Sequence, residues 1–203
     1  MVIVDQLISI GRSAVGSGLV IASGGNLSAR VPDTDHFVVT AAGTWLDALT
    51  PADFALLDLD GNHLGGPPPS SEWKLHHRAY RHRPDINAVV HVHPQHAVLL
   101  DALGHQIRLL TLDHAFYVRA VATTPYRPNG SDALADEATA HLTDHDCVIM
   151  SHHGCTTVGP TTEMAYRRAL NLEEAAIATY RSLTLGDHTT TFPPDAFQDL
   201  HHS

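Results

Sequence analysis

The sequence predicts a single α/β domain, and three observations lead to this prediction. The chain has 203 residues, of which 43% are hydrophobic, so it is long enough for one well-packed core and short for two. Stretches with a helical spacing of apolar residues alternate with short apolar runs that are typical of strands. Neither an internal repeat nor a linker-like stretch divides the chain, so residues 1–203 are expected to form one domain.

The first half of the chain predicts two helices separated by extended segments. In order, the predicted elements are a helix at 2–18, a turn-rich loop at 23–28, an extended piece at 36–41, a strand at 54–59, a stiff connector at 65–69 and a helix at 70–84. The first helix ends in glycines, which favour a helix stop. The second is expected to begin at the N-cap pair Ser70-Ser71 and to end at Pro84, which cannot continue a helix.

The second half predicts further strands and helices in alternation. The predicted elements are a strand at 86–93, a helix from there through 103, an extended stretch at 109–121, a helix at 131–142, a short buried strand at 147–151 and a helix at 161–183. Pro94 ends the first of these strands, and Ser131 is a good N-cap residue. The tail around Pro193-Pro194 is expected to be peripheral.

Composition and charge exclude several classes of protein. The formal net charge is −10 at pH 7, which disfavours general binding to nucleic acid or to an anionic membrane. No apolar run approaches the roughly 18 residues of a membrane span, and the N-terminus lacks the pattern of a secretory signal. The two cysteines make no disulfide framework, so a reducing cytoplasm is expected.

Histidine is frequent in this chain, and lysine is nearly absent. There are 17 histidines, which points to metal or proton chemistry. Lys74 is the single lysine, so any mechanism that needs a lysine must use this residue.

The segment Val90-His91-Val92-His93-Pro94 is the most informative one. In a strand, side chains two positions apart share a face and lie roughly 7 Å apart at the backbone. Two imidazoles at that spacing can reach one cation, with metal–nitrogen bonds of about 2.0–2.1 Å. The same pattern also suits a pair of histidines that face solvent.

Glu72 follows the serine pair Ser70-Ser71 at the start of the predicted helix. A carboxylate in the first turn interacts well with the helix dipole, so Glu72 suits an ordinary helix-start acid as well as a site residue. The serine hydroxyls and the free backbone N–H groups of a helix N-terminus form an anion site, and phosphate fits it well.

Two loops carry further candidate residues. His153 follows the predicted strand at 147–151 and precedes Gly154, which allows close approach of the backbone, whereas His152 suits a supporting or surface role. The glycine-rich turn around Gly25 and Asn26 offers backbone donors to an anion, although many such turns only connect elements.

Together these segments resemble the class II aldolase/adducin family. The matching motifs, in the order of that family, are Gly25-Asn26-x-Ser28, Thr40-x-x-Gly43, Pro69-Ser-Ser-Glu72, Val90-His-x-His93 and His153-Gly154. Residues 70–94 are most similar to the bacterial L-fuculose-1-phosphate aldolases. The resemblance covers residues 5–183 and leaves 184–203 as a tail. It implies a three-layer α/β/α domain around a mixed, largely antiparallel sheet.

The resemblance also implies a site and a reaction. One catalytic zinc ion per chain would have four ligands, Glu72, His91, His93 and His153, and Glu72 would also be the acid/base. The implied phosphate-binding residues are Gly25, Asn26, Gly43, Ser70 and Ser71. The implied reaction is reversible cleavage of a ketose 1-phosphate into dihydroxyacetone phosphate and an aldehyde, through a metal-stabilised enediolate. The family implies a homotetramer with sites between subunits.

This chain departs from the fuculose enzymes at two positions. Ala42 stands where those enzymes have a threonine, so one hydroxyl for the phosphate is missing. Their tyrosine that protonates the leaving aldehyde oxygen, contributed by a neighbouring subunit, corresponds to a position near Thr111, which cannot act as an acid. Tyr117 and His114 are the alternatives for this role. Lys74 is expected on the solvent face of its helix, or at most near the phosphate.

Two enzymes of the same fold are the nearest alternative functions. A sugar-phosphate 4-epimerase shares the bond-breaking step, but the resembling epimerases carry Asp in place of Glu72 and an acidic residue after a His-Ala pair. Here Phe116 follows that pair, which favours the aldolase. A decarboxylase or dehydratase shares the metal and the intermediate.

Two non-enzymatic functions also fit parts of the sequence. A non-catalytic member like those of the adducin branch would be expected to lack metal ligands, and all four are present here. A His-rich metal buffer would use other histidines, whose ordinary interpretation is solvated surface or a terminal tail: His76, His77, His82, His141, His145, His201 and His202.

Overall fold

An eight-stranded sheet forms the centre of the fold in the computed structural model, which describes residues 2–200. The strands are β1 Asn26–Arg30, β2 His36–Thr40, β3 Phe54–Asp58, β4 His63–Gly65, β5 Ala88–Val92, β6 Val121–Thr124, β7 Cys147–Met150 and β8 Gly154–Gly159. Their order across the sheet is β4-β3-β2-β1-β5-β8-β7-β6. Neighbouring strands are antiparallel except β6 and β7, which are parallel. The predicted mixed, largely antiparallel sheet is confirmed.

Helices cover both faces of the sheet. They are α1 Val2–Gly16, α2 Trp73–His82, α3 Gln95–Ala102, α4 Asp132–Leu142, α5 Thr162–Thr184 and α6 Pro194–Asp199. One buried cluster joins α1, α3 and α5 to Val90 of β5. A second cluster joins α2 and α4 to Val89, whose side chain lies on the opposite face of the same strand. The three-layer α/β/α architecture in a single domain is therefore confirmed.

One end of the sheet gathers the segments that the sequence marks as functional. The start of β1 lies beside the end of β5, because Asn26 pairs with His91. The first residues of β8 pair with the last residues of β5, so β8 begins at the same end. An isolated bridge between Ala41 and Pro69 ties the connector 65–69 to the end of β2. Four parts of the chain that are distant in sequence thus meet here.

Helix α2 begins three residues later than predicted. The Ser70 N–H donates to the Thr40 carbonyl at 2.9 Å, and the bridge at Pro69 holds the preceding residue extended as well. Glu72 has φ −99° and ψ 13°, outside the helical region, and Trp73 is the first helical residue. The prediction from residue types was wrong here because the bond to β2 overrides the local preference of the serines for the N-cap. Glu72 consequently precedes the helix instead of lying in its first turn.

The predicted extended stretch at 109–121 was also wrong. His114–Val118 forms a turn of π-helix that buries His114, Ala115 and Val118. These three residues have the spacing i, i+1, i+4, which is one face of a helix. Arg119 ends the turn with φ 63°, and strand β6 begins only at Val121.

Strand β8 was missed because it lacks the alternation of a half-buried strand. All six of its residues are buried, yet two are threonines and two are glycines. The Thr157 hydroxyl donates to the Ala165 carbonyl at 2.7 Å, so its polar group is satisfied inside the core. A central strand that is covered on both faces needs no polar face toward solvent.

The predicted peripheral tail is tied to the body of the domain. The Arg108 guanidinium binds the Asp187 carboxylate at 3.1 Å and the Thr190 carbonyl at 3.0 Å. The Phe192 N–H donates to the Leu109 carbonyl at 2.6 Å, and α6 follows. Within residues 2–200, every helix is too short or too polar to cross a membrane.

Candidate active site

Four side chains converge at the end of the sheet just described. Glu72, His91, His93 and His153 each offer one ligating atom, and these atoms all lie within 4.8 Å of one another. His91 Nε2 is 3.0 Å from His93 Nε2 and 3.1 Å from Glu72 Oε2. Glu72 Oε1 is 3.4 Å from His153 Nε2. The structure brings together all four residues that the resemblance implies as metal ligands.

His91 is held in place by the strand next to it. The residue lies in β5 and is fully buried. Its Nδ1 is 2.9 Å from the Cys155 carbonyl of β8. Because a carbonyl only accepts, Nδ1 carries the proton and the lone pair of Nε2 points into the cluster. A strand pairing thus fixes both the orientation and the tautomer of a candidate ligand.

The tight turn between β7 and β8 positions His153. His152 has φ 59°, an uncommon left-handed conformation for a non-glycine residue, and it turns the chain so that His153 faces the cluster. The next residue is Gly154, where a Cβ would lie 2.6 Å from His93 Cδ2 and 2.5 Å from the Val92 carbonyl oxygen. Only glycine fits there, so the three imidazoles can pack with ring centroids 4.9–5.2 Å apart.

Glu72 is buried, and only one of its two carboxylate oxygens has a hydrogen-bond partner. Its side chain is 4% exposed, and the Asn26 Nδ2 group donates to Oε2 at 2.9 Å. Oε1 is buried with no hydrogen-bond partner in the part of the chain that the structure describes. A buried acceptor left without a partner is costly, and a cation beside it would remove that cost.

The electrostatics of the cluster favour an ionised Glu72 with neutral His93 and His153. Burial alone would raise the pKa of Glu72, but the contacts with His91, His153 and Asn26 outweigh burial and lower it. Burial, with the neighbouring His91 and His153, lowers the pKa of His93 to about 3. Burial and His91 also lower the pKa of His153. Neutral imidazoles and an ionised carboxylate are the forms that bind metal.

The donor set and its spacing fit a divalent ion. Two ligands at about 2.0–2.1 Å from a tetrahedral ion lie about 3.3 Å apart. The distances of 3.0, 3.1 and 3.4 Å between neighbouring ligand atoms bracket this value. Three imidazole nitrogens and one carboxylate oxygen are ligands of the kind that zinc takes, and they also suit other transition metals.

A small cavity of about 160 Å³ opens beside Glu72 and His93. The residues that the sequence predicts for the phosphate line it: Gly25, Asn26, Gly43, Ser70 and Ser71. The Ser70 hydroxyl accepts from the Glu72 N–H at 3.3 Å, which leaves its own proton free to donate into the cavity. The cavity lining among the described residues contains neither Lys nor Arg. An anion there would be bound by neutral donors next to the metal-ligand cluster.

A larger cavity lies at the other end of β1 and β5. It measures about 1020 Å³ and is lined by Arg30, Asn87 and Tyr166 among others. The Arg30 guanidinium is already bonded to the Ile86 and Tyr80 carbonyls. The small cavity, and not the large one, adjoins the groups that can do chemistry.

Comparison with known proteins decides the family. A family model described as "Class II Aldolase and Adducin N-terminal domain" matches residues 5–180. The chain belongs to this family. The predicted resemblance is confirmed, and the match supports the predicted lyase class and dependence on a metal.

Members of the class II aldolase family with different activities resemble this chain. An L-fuculose phosphate aldolase from Methanocaldococcus jannaschii is 35% identical over 178 residues, covering 88% of this chain and 96% of the relative. A 3-oxo-tetronate 4-phosphate decarboxylase from Haemophilus influenzae is 29% identical over 177 residues, covering 85% and 84%. The crystal structure of L-fuculose-1-phosphate aldolase from Thermus thermophilus superposes with a TM-score of 0.81 at 27% identity, covering 93% and 98%.

The alternative acids for the leaving oxygen do not line the cavity of this class II aldolase family member. The Tyr117 hydroxyl accepts from Arg167 Nη1 at 2.8 Å on the surface of α5. His114 is buried, and its Nδ1 accepts from the Leu110 N–H at 3.4 Å. Thr111 is exposed in the segment that precedes the π-helical turn. Within the described lining, no side chain from 111–117 takes part.

The single lysine and most of the remaining histidines lie away from the site. Lys74 forms an ion pair with Asp132 at 2.8 Å, as its predicted position on the outer face of the helix requires. Interpreting His76 as solvated surface was wrong, because it is fully buried. His82 is exposed and His77 is half-buried. The terminal His201 and His202 lie outside the described residues.

Sequence reasoning missed three residues that line the cavity and one that supports Glu72. Ser23, Thr44 and Asn129 lie in the cavity wall with the predicted phosphate residues. Thr44 donates its proton to the Ala41 carbonyl at 2.9 Å, so it does not replace the hydroxyl missing at Ala42. The neighbouring motifs were a signal for Ser23 and Thr44, since each lies within two residues of a predicted glycine. The supporting residue is His76, which contacts Asn26.

Proposed function

We propose that this chain is a zinc-dependent class II aldolase that reversibly cleaves a ketose 1-phosphate similar to L-fuculose 1-phosphate. The products are dihydroxyacetone phosphate and an aldehyde. The observation that carries the proposal is the Glu72 carboxylate, with one oxygen fixed by Asn26 and the other buried without a hydrogen-bond partner beside three imidazoles. The similarity of this chain to a relative named L-fuculose phosphate aldolase supports the choice of substrate class.

Glu72, His91, His93 and His153 would hold the zinc ion. When bound, zinc supplies Lewis-acid polarisation of the substrate carbonyl, which makes the neighbouring carbon–carbon bond breakable. The chain contributes neutral imidazoles of fixed orientation, because the Cys155 carbonyl and the turn at His152 hold His91 and His153. The substrate needs a coordination position, so Glu72 is the ligand that gives way.

Glu72 would be the acid and base of the reaction. It is ionised at neutral pH, which is the form that can accept the proton that leaves the substrate carbon. Its neighbour Asn26 holds Oε2, and Oε1 is the oxygen free for proton transfer. The hydrogen-bond donors of Ser70 and Ser71, together with those of Gly25, Asn26 and Gly43 in the same cavity lining, would hold the phosphate.

We further propose that the protein is a homotetramer in the cytoplasm. Ile21 and Trp45 are 69% and 56% exposed, and each lies within two residues of the cavity lining, where a neighbouring subunit could cover them. Both cysteines are free and buried, as expected in a reducing compartment. Sedimentation at working concentration checks the assembly, and a monomer would contradict it.

A decarboxylase of the same fold is the second candidate. The similarity to the Haemophilus influenzae decarboxylase favours it, because a metal held by the same four residues would stabilise the negative charge left by carbon dioxide loss. A sugar-phosphate 4-epimerase would share the retro-aldol step as well. Both alternatives act on one substrate without joining two.

The deciding experiment mixes the zinc-loaded protein with dihydroxyacetone phosphate and a panel of aldehydes. We expect a new carbon–carbon bond, detected as a ketose 1-phosphate by chromatography and NMR. Absence of condensation with every aldehyde, together with carbon dioxide release from a 3-oxo acid phosphate, would replace the aldolase with the decarboxylase. Interconversion of two pentose phosphates at C4 would indicate the epimerase.

A further inference from the structure

A line of buried side chains runs from the core to the carboxylate of Glu72. Tyr80, Ser28, His76 and Asn26 follow one another by hydrogen bonds, and each of them is at most 3% exposed. The line ends where Asn26 Nδ2 meets Glu72 Oε2 at 2.9 Å. The proposed function uses Glu72 and Asn26, so the role of His76, Ser28 and Tyr80 is open.

The secondary structure explains why these side chains meet. Asn26 and Ser28 are two positions apart in β1 and therefore share one face of the sheet. His76 and Tyr80 are four positions apart in α2 and share one face of that helix. Packing of α2 on this face of the sheet brings the two pairs together.

The direction of each hydrogen bond in the line follows from the Glu72 carboxylate, which can only accept. The Asn26 Oδ1 atom only accepts, so His76 Nε2 must carry a proton and donate it. His76 Nδ1, 2.6 Å from Ser28 Oγ, then accepts the serine proton. Ser28 has no second proton, so it accepts from the Tyr80 hydroxyl at 2.7 Å. Burial lowers the pKa of His76 to about 3, which keeps this imidazole neutral with one donor and one acceptor.

The Asn26 amide is the group in this line that could be placed in two orientations. If its amide were rotated by 180°, an acceptor oxygen would face Glu72 Oε2 and a donor would face the His76 N–H, and both contacts would be repulsive. The His76 donor and the Glu72 carboxylate therefore favour the same orientation of the Asn26 amide, with Nδ2 facing Oε2. Oδ1 and one Nδ2 proton of Asn26 are thus committed, and the second Nδ2 proton and the backbone remain for any contact with phosphate.

We propose that His76 is a positioning residue that acts through Asn26 to hold Glu72 with Oε2 bonded and Oε1 directed at the reacting centre. The proposal rests on the proposed function of Glu72 as metal ligand and base. Ser28 and Tyr80 extend the same effect, because they fix the tautomer of His76. Second partners of this kind behind a ligand typically contribute 10–100-fold in metal affinity or activity.

The test uses exchange of the hydroxymethyl hydrogen of dihydroxyacetone phosphate with D₂O, followed by proton NMR on the zinc-loaded protein. By the proposed function this exchange needs the metal and Glu72 but no aldehyde. We expect His76→Leu to lower the maximal exchange rate about 10–100-fold with KM for dihydroxyacetone phosphate within about 2-fold. His76→Gln keeps a donor and an acceptor and should restore most of the rate. His77→Leu, a neighbour on α2 outside the line, is the matched control and should match the wild type.

A folded His76→Leu variant with the wild-type rate, a loss confined to KM, or a His76→Gln variant as slow as His76→Leu would overturn the positioning role. If His76→Leu does not fold, Ser28→Ala replaces it, with an expected loss of about 2–10-fold in the same direction. Circular dichroism checks the fold of each variant.

A second readout separates this proposal from the proposed function. Zinc affinity, measured by competition with a chromogenic chelator, should fall about 10–100-fold in His76→Leu and stay unchanged in His77→Leu. The visible spectrum of the Co²⁺-loaded protein should change in the same pattern. If the wild type exchanges no hydrogen, the proposed function fails and the metal readout alone decides. Equal zinc affinities and equal spectra in all variants would then reject the positioning role.

Discussion

The metal-ligand cluster and the adjoining cavity differ in how firmly the protein holds them. His91 and Glu72 are buried, and each is fixed by a hydrogen bond to another part of the fold. In contrast, Ser23, Ser71 and Asn129 of the cavity wall are exposed. The cluster concentrates charge in a rigid frame, whereas the cavity offers neutral donors in loops. The comparison teaches that the candidate metal ligands are built into the core, while the donors that the cavity offers are backbone groups and short polar side chains.

Removing one ligand tests whether the cluster acts as a unit, and it has the largest expected effect. His153→Ala leaves three ligands and opens the turn that Gly154 permits. We expect a loss of metal affinity larger than the roughly 10–100-fold of a supporting residue, with no measurable turnover. Metal analysis after dialysis and the condensation assay check this. Full retention of zinc would mean that His153 is not a ligand. His152→Ala serves as the control for the turn.

Substitution of the carboxylate separates chemistry from metal binding. In Glu72→Gln we expect a retained fold and retained metal, because the amide oxygen keeps a ligand of the same shape. Proton transfer should be slowed by roughly 10²–10⁴. Hydrogen exchange of dihydroxyacetone phosphate measures this step. Near wild-type exchange in this variant would remove Glu72 from the role of base.

A substitution in the cavity wall should change binding and leave the chemistry intact. Ser71→Ala removes one exposed hydroxyl that can donate to phosphate. A hydrogen bond to a charged group contributes about 1.5–3 kcal/mol, so KM for the phosphorylated substrate should rise about 10-fold or more at constant kcat. Steady-state kinetics check the split, with Ser13→Ala on α1 as the control. A fall in kcat alone would mean that cluster and cavity are not separable.

The smallest expected effect concerns acid stability behind the cluster. Burial lowers the pKa of His76 to about 3 from 6.5, so the unfolded chain binds a proton there that the folded chain rejects. The contribution of neutral His76 to the free energy of unfolding is complete above pH 6.5. It is lost as the pH falls toward 3, by up to about 1.4 kcal/mol per pH unit. Urea unfolding of metal-free protein at pH 7.5, 6.5 and 5.5 should therefore give a flatter dependence in His76→Gln. Parallel pH dependences would contradict this.

The four members of the cluster could be predicted from the sequence because the short motifs that carry them together resemble those of the family. The spacing of His91 and His93 and the glycine after His153 are local features. The positions of Ser70, Ser71 and Glu72 followed from the resemblance, although the bond from Ser70 to Thr40 moved the helix start beyond them.

The supporting groups could not be predicted, because their roles depend on packing between elements. Its residue type alone suggested that His76 lies on the surface of a helix. Its contact with Asn26 is visible only once α2 is packed on β1. Strand β8 escaped prediction since its threonines are satisfied by tertiary hydrogen bonds. The segment 109–121 was predicted to be extended because its apolar residues suit either a strand or a short helical turn. Packing against α5 favours the helical turn at His114–Val118.

The bridge between Ala41 and Pro69 fixes the point from which the chain enters the site. Immediately after it come Ser70 and Ser71, which line the cavity, and then Glu72, which belongs to the cluster. The bond from the Ser70 N–H to the Thr40 carbonyl fixes the start of this short run, so the cavity wall and the cluster keep a constant spacing. If the proposed function holds, a substrate with its phosphate in the cavity has to match this spacing, and a molecule one carbon longer or shorter is expected to present the wrong atom to Glu72.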